Sequence, residues 1–392
     1  MKKKSPLHLL GLLLVLAIFV AAAWLLASEF RRHNLTFAKI LDSVLQIPTS
    51  HIVVALGLTV INFGILVCYD YLAFHYAQIP ISLRRVAFAA LTSYPVSYNF
   101  GATVAGIPLR YRLYSSWGIS LSKIVQLLVI LALTFWFGVF FISGMLFVFA
   151  PLRIPPEQLQ LISTTLVTEW RIHEDVVKWF TYLFSDSRPF GILLLALTAL
   201  YVGASLLHRG SLKIFRWTLP VPPFRLTIYQ IAIASADMLV AASVLYALFP
   251  PVRGGYLTVL EVYLVAYVLI VLSHVPGGWG VLEACMMTLL GSLRLVPEHA
   301  ANMPKVLAGI IVFRVIYFLI PLLFAAAMLG WHEFALRKKW IPLLVAYPEN
   351  QASEAAGPEG AIGHAGNVPV SGHATNGKSE TAESKRRVPS QK

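Results

Sequence analysis

Long apolar runs, each near the length of a bilayer crossing, alternate along this chain with short stretches where charges and helix-breaking residues collect. A hydrocarbon core needs about 20 apolar residues per helical crossing. The stretches 7–28, 50–69, 124–150, 190–207, 226–249, 256–275, 281–295 and 306–330 meet or approach that length, with 281–295 the shortest. Three other stretches do not read as crossings. From 157 to 184, Leu159, Ile162, Leu166, Trp170, Val177, Phe180 and Phe184 recur at three- and four-residue steps or their sum, with Glu and Lys between them. That period predicts an amphipathic helix at the outer interface, serving as a lid on the bundle or as a lipid sensor. From 82 to 118, apolar stretches are interrupted by Gly, Pro, Tyr and Arg, which predicts a re-entrant or interfacial segment. The last stretch, 346–392, is rich in Gly, Ala, Ser and Glu without apolar period, and reads as a disordered cytoplasmic tail behind a membrane domain spanning 1–345.

Composition turns this pattern into a statement about solvent. A mean hydropathy of +0.73, with 58% hydrophobic and 12% charged residues, excludes a set of soluble domains. The expected fold is therefore all-α: a polytopic transmembrane helix bundle of about eight spans with broken or re-entrant segments. The net charge of +13 does not point to nucleic acid, because Lys and Arg are scattered at span ends rather than gathered on one soluble face. Anionic phospholipid is the expected counter-charge. If Lys2, Lys3 and Lys4 are cytoplasmic, alternation places Arg84, Arg85, Arg110, Arg112, Lys123, Arg209, Lys213, Arg216, Arg225, Arg337, Lys338 and Lys339 on the same side, and fewer basic residues opposite. Both termini then lie in the cytoplasm of a multi-pass inner-membrane protein. The first apolar run has the basic flank of a signal peptide but the length of a retained anchor. Cys68 and Cys285 lie in or beside apolar runs without disulfide or zinc spacing, and read as packing residues.

Soluble-enzyme motifs fail individually. His173-Glu174 and His332-Glu333 start like a metalloprotease helix, but Val177 and Leu336 stand where the second zinc ligand is required. No phosphate-cradling glycine loop ending in Lys is present, and the Asp residues at 42, 70, 175, 186 and 237 are far apart in sequence. No cofactor or metal is expected.

What remains are ionisable residues inside apolar runs, where each costs a few kcal/mol at the helix centre unless it faces a partner or a cavity. Asp237, Glu261, Glu283 and Arg314 are the candidates. An Asp–Arg or Glu–Arg pair among them could fix helix register, or these groups could contact a substrate; Glu261, nearer its run's end, reads as interfacial. The sharpest local signal is Ser273-His274-Val275-Pro276-Gly277-Gly278-Trp279-Gly280, which must break a helix. A helix restarting at Trp279 or Gly280 would aim free N–H groups at whatever fills the gap, lipid phosphate being the obvious anion. In the first half, Gly101, Gly106 and Pro108 interrupt another apolar stretch just before Leu109-Arg110-Tyr111-Arg112-Leu113-Tyr114. Paired broken segments in two halves point to a transporter binding site, although a short cytoplasmic turn also accounts for the second.

At these residues the chain resembles a known family. The order SYPVSYNFGATVAGIPLRYRLYSSWGIS, SADMLVAASVLYALFP, LSHVPGGWGVLEACMMTLL and FRVIYFLIPLL is similar to the membrane flippase domain of lysylphosphatidylglycerol synthases, over roughly residues 5–340. Full-length members attach lysine to phosphatidylglycerol in a cytosolic domain and move the product outward through the membrane domain. Only about 60 residues follow the last run here, too few for an acyltransferase domain, so the resemblance implies lipid translocation and not synthesis. On that expectation Arg110 and Arg112 take lipid phosphate, with Tyr111 and Tyr114 at the interface. Asp237 and Glu283 suit a cationic headgroup, Gly277 and Gly278 open the gap, and Arg314 holds the acids or meets phosphate. The expected substrate is a phospholipid, with aminoacylated phosphatidylglycerol one candidate. A homo-oligomer and a separate lipid-modifying enzyme are compatible partners. A membrane-embedded transferase using Asp237, Glu283 or His274 as base, and a non-catalytic scaffold, are the alternatives.

Overall fold

A computed structural model describes residues 36–151, 175, 186–207, 210–214, 217–292 and 294–337. The expected first crossing at 7–28, all but one residue of the amphipathic stretch 157–184, and the tail at 346–392 lie outside the described residues. Within them the protein is a bundle of α-helices with one short hairpin of strands. The elements are α1 (Phe37–Leu45), α2 (Thr49–Tyr76), α3 (Leu83–Phe100), α4 (Ile107–Ser116), α5 (Leu121–Phe149), α6 (Arg188–Leu207), β1 (Gly210–Ile214), β2 (Trp217–Val221), α7 (Phe224–Leu248), α8 (Gly255–Ser273), α9 (Val281–Ser292), α10 (His299–Phe313) and α11 (Ile320–Arg337). A π-helical turn, Ala102–Gly106, leads into α4, and another, Arg314–Leu319, joins α10 to α11. β1 and β2 pair antiparallel in a stretch that reads from sequence only as a basic loop.

Five of the described helices are long and apolar enough to cross a membrane: Thr49–Tyr76, Leu121–Phe149, Arg188–Leu207, Phe224–Leu248 and Asn302–Ala335. This is an integral membrane protein. The run 281–295 differs from a crossing, because Gly280 and Ser292 bound a helix of 12 residues. At 1.5 Å per residue that is about 18 Å, well short of the hydrocarbon thickness.

The two interrupted segments are helical hairpins. The first descends as α3 and turns at Gly101, whose φ of +91° only glycine adopts freely. It returns through the π turn and α4, with Gly106 so close to Ser97 that a Cβ on it would lie 1.8 Å from the Ser97 hydroxyl oxygen. Its two ends are held together where Lys123 Nζ donates to the Ala77 carbonyl at 3.0 Å. The second runs down α8, breaks over 274–280 and returns as α9, and its ends close where the Arg253 N–H donates to the Leu295 carbonyl at 2.7 Å. Both segments thus leave and return at one end of the bundle, the geometry expected of re-entrant elements.

α2 and α7 pack antiparallel, with Asn62 against Asp237 and Leu66 and Tyr69 in one cluster with Ala234. The first hairpin therefore enters from the end where α2 finishes, and the second from the end where α7 finishes. The order long helix, hairpin, long helix occurs twice, as α2 to α5 and as α7 to α11, in opposite directions. This is the arrangement of an inverted repeat. Close contact between the halves depends on small residues: a Cβ at Gly138 of α5 would meet that of Ala234 on α7 at 2.0 Å.

Candidate functional site

The tips of the two hairpins meet. A Cβ on Gly277, where φ is +66°, would lie 2.9 Å from the Asn99 carbonyl oxygen at the end of α3. The Asn99 amide donates to the Phe318 carbonyl at 3.1 Å, tying the first tip to the π turn beyond Arg314. Beside this junction lies a cavity of about 380 Å³, within the size range of ligand pockets. Its wall is mostly apolar and carries a set of aromatic rings, including Tyr69, Tyr94, Tyr98, Trp136, Tyr267 and Tyr317, and its charged groups are Arg110 and Asp237. His274, Gly277 and Gly278 also line it.

Each hairpin is latched by a buried arginine. On the returning leg of the first, Arg110 is 5% exposed and forms an ion pair with Asp70 near the end of α2. Tyr94 donates to the other oxygen of Asp70 at 3.0 Å, Arg110 donates to the Tyr114 hydroxyl at 2.8 Å, and the Arg110 guanidinium stacks 4.5 Å from the centre of the Tyr94 ring. In the second, Arg314 Nε donates to Glu283 Oε1 at 2.6 Å and Nη2 donates to Glu283 Oε2 at 3.0 Å. The same guanidinium donates to the carbonyls of Gly277 and Gly278, the latter at 2.9 Å, and lies over the rings of Trp279 and Phe318. These bonds use the planar fork of arginine, with five donors in fixed directions, to satisfy the carbonyls that the helix break leaves exposed.

The expected open helix N-terminus is therefore occupied from within. Glu283 Oε2 accepts from the Gly280 N–H at 2.9 Å, so the carboxylate of α9 caps its own helix and takes the place foreseen for a lipid phosphate.

Asp237 is held differently. It is 3% exposed, and its hydrogen bonds come from the neutral Asn62 amide, at 2.9 Å to Oδ1 and 3.0 Å to the backbone carbonyl. Asn62 is fixed in turn by Tyr317, whose hydroxyl donates to Asn62 Oδ1 at 2.6 Å. Asp237 takes part in no ion pair among the described residues. Of the two expected pairings, the Glu–Arg one forms, as Glu283–Arg314, and the Asp–Arg one does not, because Arg314 in the π turn bonds the second hairpin and not α7.

The structure brings Arg110, Asp237, Gly277 and Gly278 to the cavity wall, and places Tyr114, Glu283 and Arg314 in the networks behind it. Arg112 stands apart: it is exposed and bonded to Glu333 at 3.0 Å. Glu261, expected at the interface, is buried at 4% exposure on α8. Sequence reasoning missed Asp70, Asn62 and the tyrosine wall. Asp70 had a signal, an acid amid apolar residues, but a helix boundary drawn at residue 69 left it in a loop. No group of three or more His, Cys, Asp and Glu side chains placed to hold a metal occurs among the described residues.

No family model matches the sequence. The chain is 31% identical over 329 residues to the uncharacterized protein slr0712 of Synechocystis sp., an alignment covering 82% of this chain and 91% of that protein. It is 29% identical over 273 residues to the inner membrane protein YbhN of Escherichia coli, covering 69% of this chain and 76% of that protein.

Proposed function

The chain belongs to the family of membrane proteins that includes slr0712 and YbhN, and from that premise we propose that it is a lipid translocase of the bacterial inner membrane. A phospholipid headgroup enters the cavity where the hairpin tips meet and crosses there, while its acyl chains stay in the bilayer. The observation that carries this reading is the pairing of two opposed hairpins with a cavity at their junction that contains one carboxylate, Asp237, without a cationic partner among the described residues. Ionisable groups so placed in apolar spans mark substrate or ion pathways, and substrate sites in inverted-repeat transporters lie at the repeat interface. The similarity of four motifs to the flippase domain of lysylphosphatidylglycerol synthases supports the same conclusion. The aromatic wall suits a headgroup bearing an ammonium, which rings attract by about 0.5–2 kcal/mol each. Arg112, exposed at the end of the first hairpin, marks the basic cytoplasmic entry.

The test is transfer of acyl-chain-labelled phospholipid between leaflets of reconstituted vesicles, read by chemical quenching of the outer leaflet. Phosphatidylglycerol, phosphatidylethanolamine and lysylphosphatidylglycerol would each be offered. Faster transfer of at least one than in protein-free vesicles is expected. Equal rates for all three with and without protein would refute the proposal.

A further inference from the structure

We propose that Asp237, together with the hydroxyl of Tyr69, is a coupling site at which a proton and the ammonium of a lipid headgroup exchange, so that lipid moves one way as a proton moves the other. The inference rests on the translocase reading above and adds to it a driving force. Its first basis is the unused bonding capacity of the cavity wall. Asp237 Oδ2 accepts no hydrogen bond from any described residue, and the buried Tyr69 hydroxyl has no partner among them either. Both residues line the cavity and lie within electrostatic reach of each other. The Tyr69 hydroxyl is a buried atom with an unmade bond, which is costly, and Asp237 Oδ2 has accepting capacity to spare, so a ligand that donates to the carboxylate and also satisfies the hydroxyl suits the pair. A primary ammonium, with three donors, meets the first demand and can bond the phenol oxygen as well.

The second basis is what surrounds Asp237 on every side. From α2 it meets Asn62; within electrostatic reach are Tyr69 from the same helix, Tyr98 from α3, Tyr263 and Tyr267 from α8, and Tyr317 from the π turn. On α5 and α6 the polar side chains facing α7 are Thr134, which accepts from the Gln230 amide at 2.8 Å, and Tyr201, which donates to the Gln230 carbonyl oxygen at 3.2 Å. Across the cavity stand Arg110, committed to Asp70, and His274 at the end of α8. Arg314 is committed to Glu283, and Glu261 is buried on α8. No residue in this set supplies Asp237 with a salt-bridging cation.

A bare carboxylate in such surroundings is expensive, whereas a carboxylic acid or a carboxylate–ammonium pair is nearly neutral. The hairpins can therefore change places around the site in either of the two neutral states and not in the charged one. The ammonium binds as the acid releases its proton to the aqueous side, and on the other side a proton displaces the ammonium. No other reactant is needed: one proton is exchanged for one ammonium at Asp237, the lipid's phosphate travels with its ammonium, and each cycle with a zwitterionic headgroup therefore moves one net charge, that of the proton, across the membrane.

The experiment uses the full chain in vesicles of phosphatidylglycerol and phosphatidylcholine, with the membrane potential clamped and a gradient of one pH unit imposed. The probes are acyl-chain-labelled phosphatidylethanolamine and, lacking an ammonium, equally labelled phosphatidylglycerol. Labelled phosphatidylethanolamine should accumulate in the leaflet facing the acidic side, approaching about tenfold for one-to-one exchange. Phosphatidylglycerol should not accumulate, and folded Asp237→Asn should abolish the asymmetry. Tyr69→Phe, which deletes only the hydroxyl, should reduce it and serves if Asp237→Asn fails to fold. Transfer of phosphatidylethanolamine without any asymmetry would overturn the coupling and leave the translocase reading intact. Transfer of neither probe would overturn the coupling too. Asymmetry that persists in folded Asp237→Asn, or that is undiminished in Tyr69→Phe, would overturn the assignment of the site.

Discussion

Replacing Arg314 by Met removes the group that closes the second hairpin, and the structure allows its cost to be worked out. Met replaces the stem of the side chain without its guanidinium, so the rings of Trp279 and Phe318 lose the cation over them, Glu283 loses the donors at 2.6 and 3.0 Å, and the carbonyls of Gly277 and Gly278 lose theirs. Breaking a buried ion pair from one side costs about 3–5 kcal/mol, chiefly because the surviving charge stays buried. Glu283→Leu alone strands the guanidinium and uncaps the Gly280 N–H, at a similar cost. If the two losses simply added, the double variant would lose about 6–10 kcal/mol, comparable with the whole stability of a typical domain. Pairing of the two charges leads to a different outcome. With both charges gone, the double variant should be no less stable than Arg314→Met, a coupling of about 3 kcal/mol. Arg314→Lys should fall between wild type and Arg314→Met, since an ammonium offers three donors where the fork now serves four acceptor atoms. The assay is reversible unfolding of the purified protein in detergent. Additive losses, or a loss below about 1 kcal/mol for Arg314→Met, would refute the claim that this pair locks the hairpin.

Gly138→Leu should cost at least about 1–3 kcal/mol by forcing α5 from α7, whereas Gly57→Ala, inside α2 with nothing within 4 Å of its Cβ, should keep or raise the thermal midpoint; both are read by thermal unfolding in detergent. Gly277→Ala should cost about 1–2 kcal/mol from its positive φ alone and more from its contact with Asn99, measured in the same way, and should slow lipid transfer in vesicles. Arg112→Ala should change stability by no more than about 1 kcal/mol, because its partner Glu333 is exposed as well. Reporter fusions at residue 345 and within 157–184 should report opposite compartments; treating 256–295 as a hairpin rather than two crossings leaves that parity unchanged.

The long helices were legible because burial in lipid demands an uninterrupted apolar length, and length can be counted along a chain. The runs 124–150, 190–207, 226–249 and 306–330 lie within a few residues of helices at Leu121–Phe149, Arg188–Leu207, Phe224–Leu248 and Asn302–Ala335. The run 50–69 fell short at its end, since α2 continues through Cys68-Tyr69-Asp70-Tyr71 to Tyr76. There the helix is sustained by a polar partner, Arg110, that is 40 residues away in sequence, and no local pattern carries that information. The breaks at Gly101 and Gly277 were legible for the opposite reason: glycine and proline act on the backbone where they stand. That the two breaks touch, through Gly277 and Asn99, follows from helix packing and could not be read from either segment.

The charges show why residue type alone does not separate a latch from a port. Asp237, Glu283 and Arg314 look alike in sequence, each a single ionisable group in an apolar run, and sign alone allows either acid to pair with Arg314. The distinction comes from what each break leaves unsatisfied. At Gly277 and Gly278 the interrupted helix exposes carbonyls, which call for a donor fork, and Arg314 with its counter-ion Glu283 is consumed in meeting that need. At the first hairpin Arg110 is taken up by side chains instead, by Asp70 and the Tyr114 hydroxyl. α7 runs unbroken past Asp237, so its backbone asks nothing of that carboxylate, and the neighbouring Asn62 offers an amide but no charge. Asp237 is thus the acid of the cavity wall whose charge the fold has not already neutralised, and a cation or proton arriving through the cavity has that position to bind.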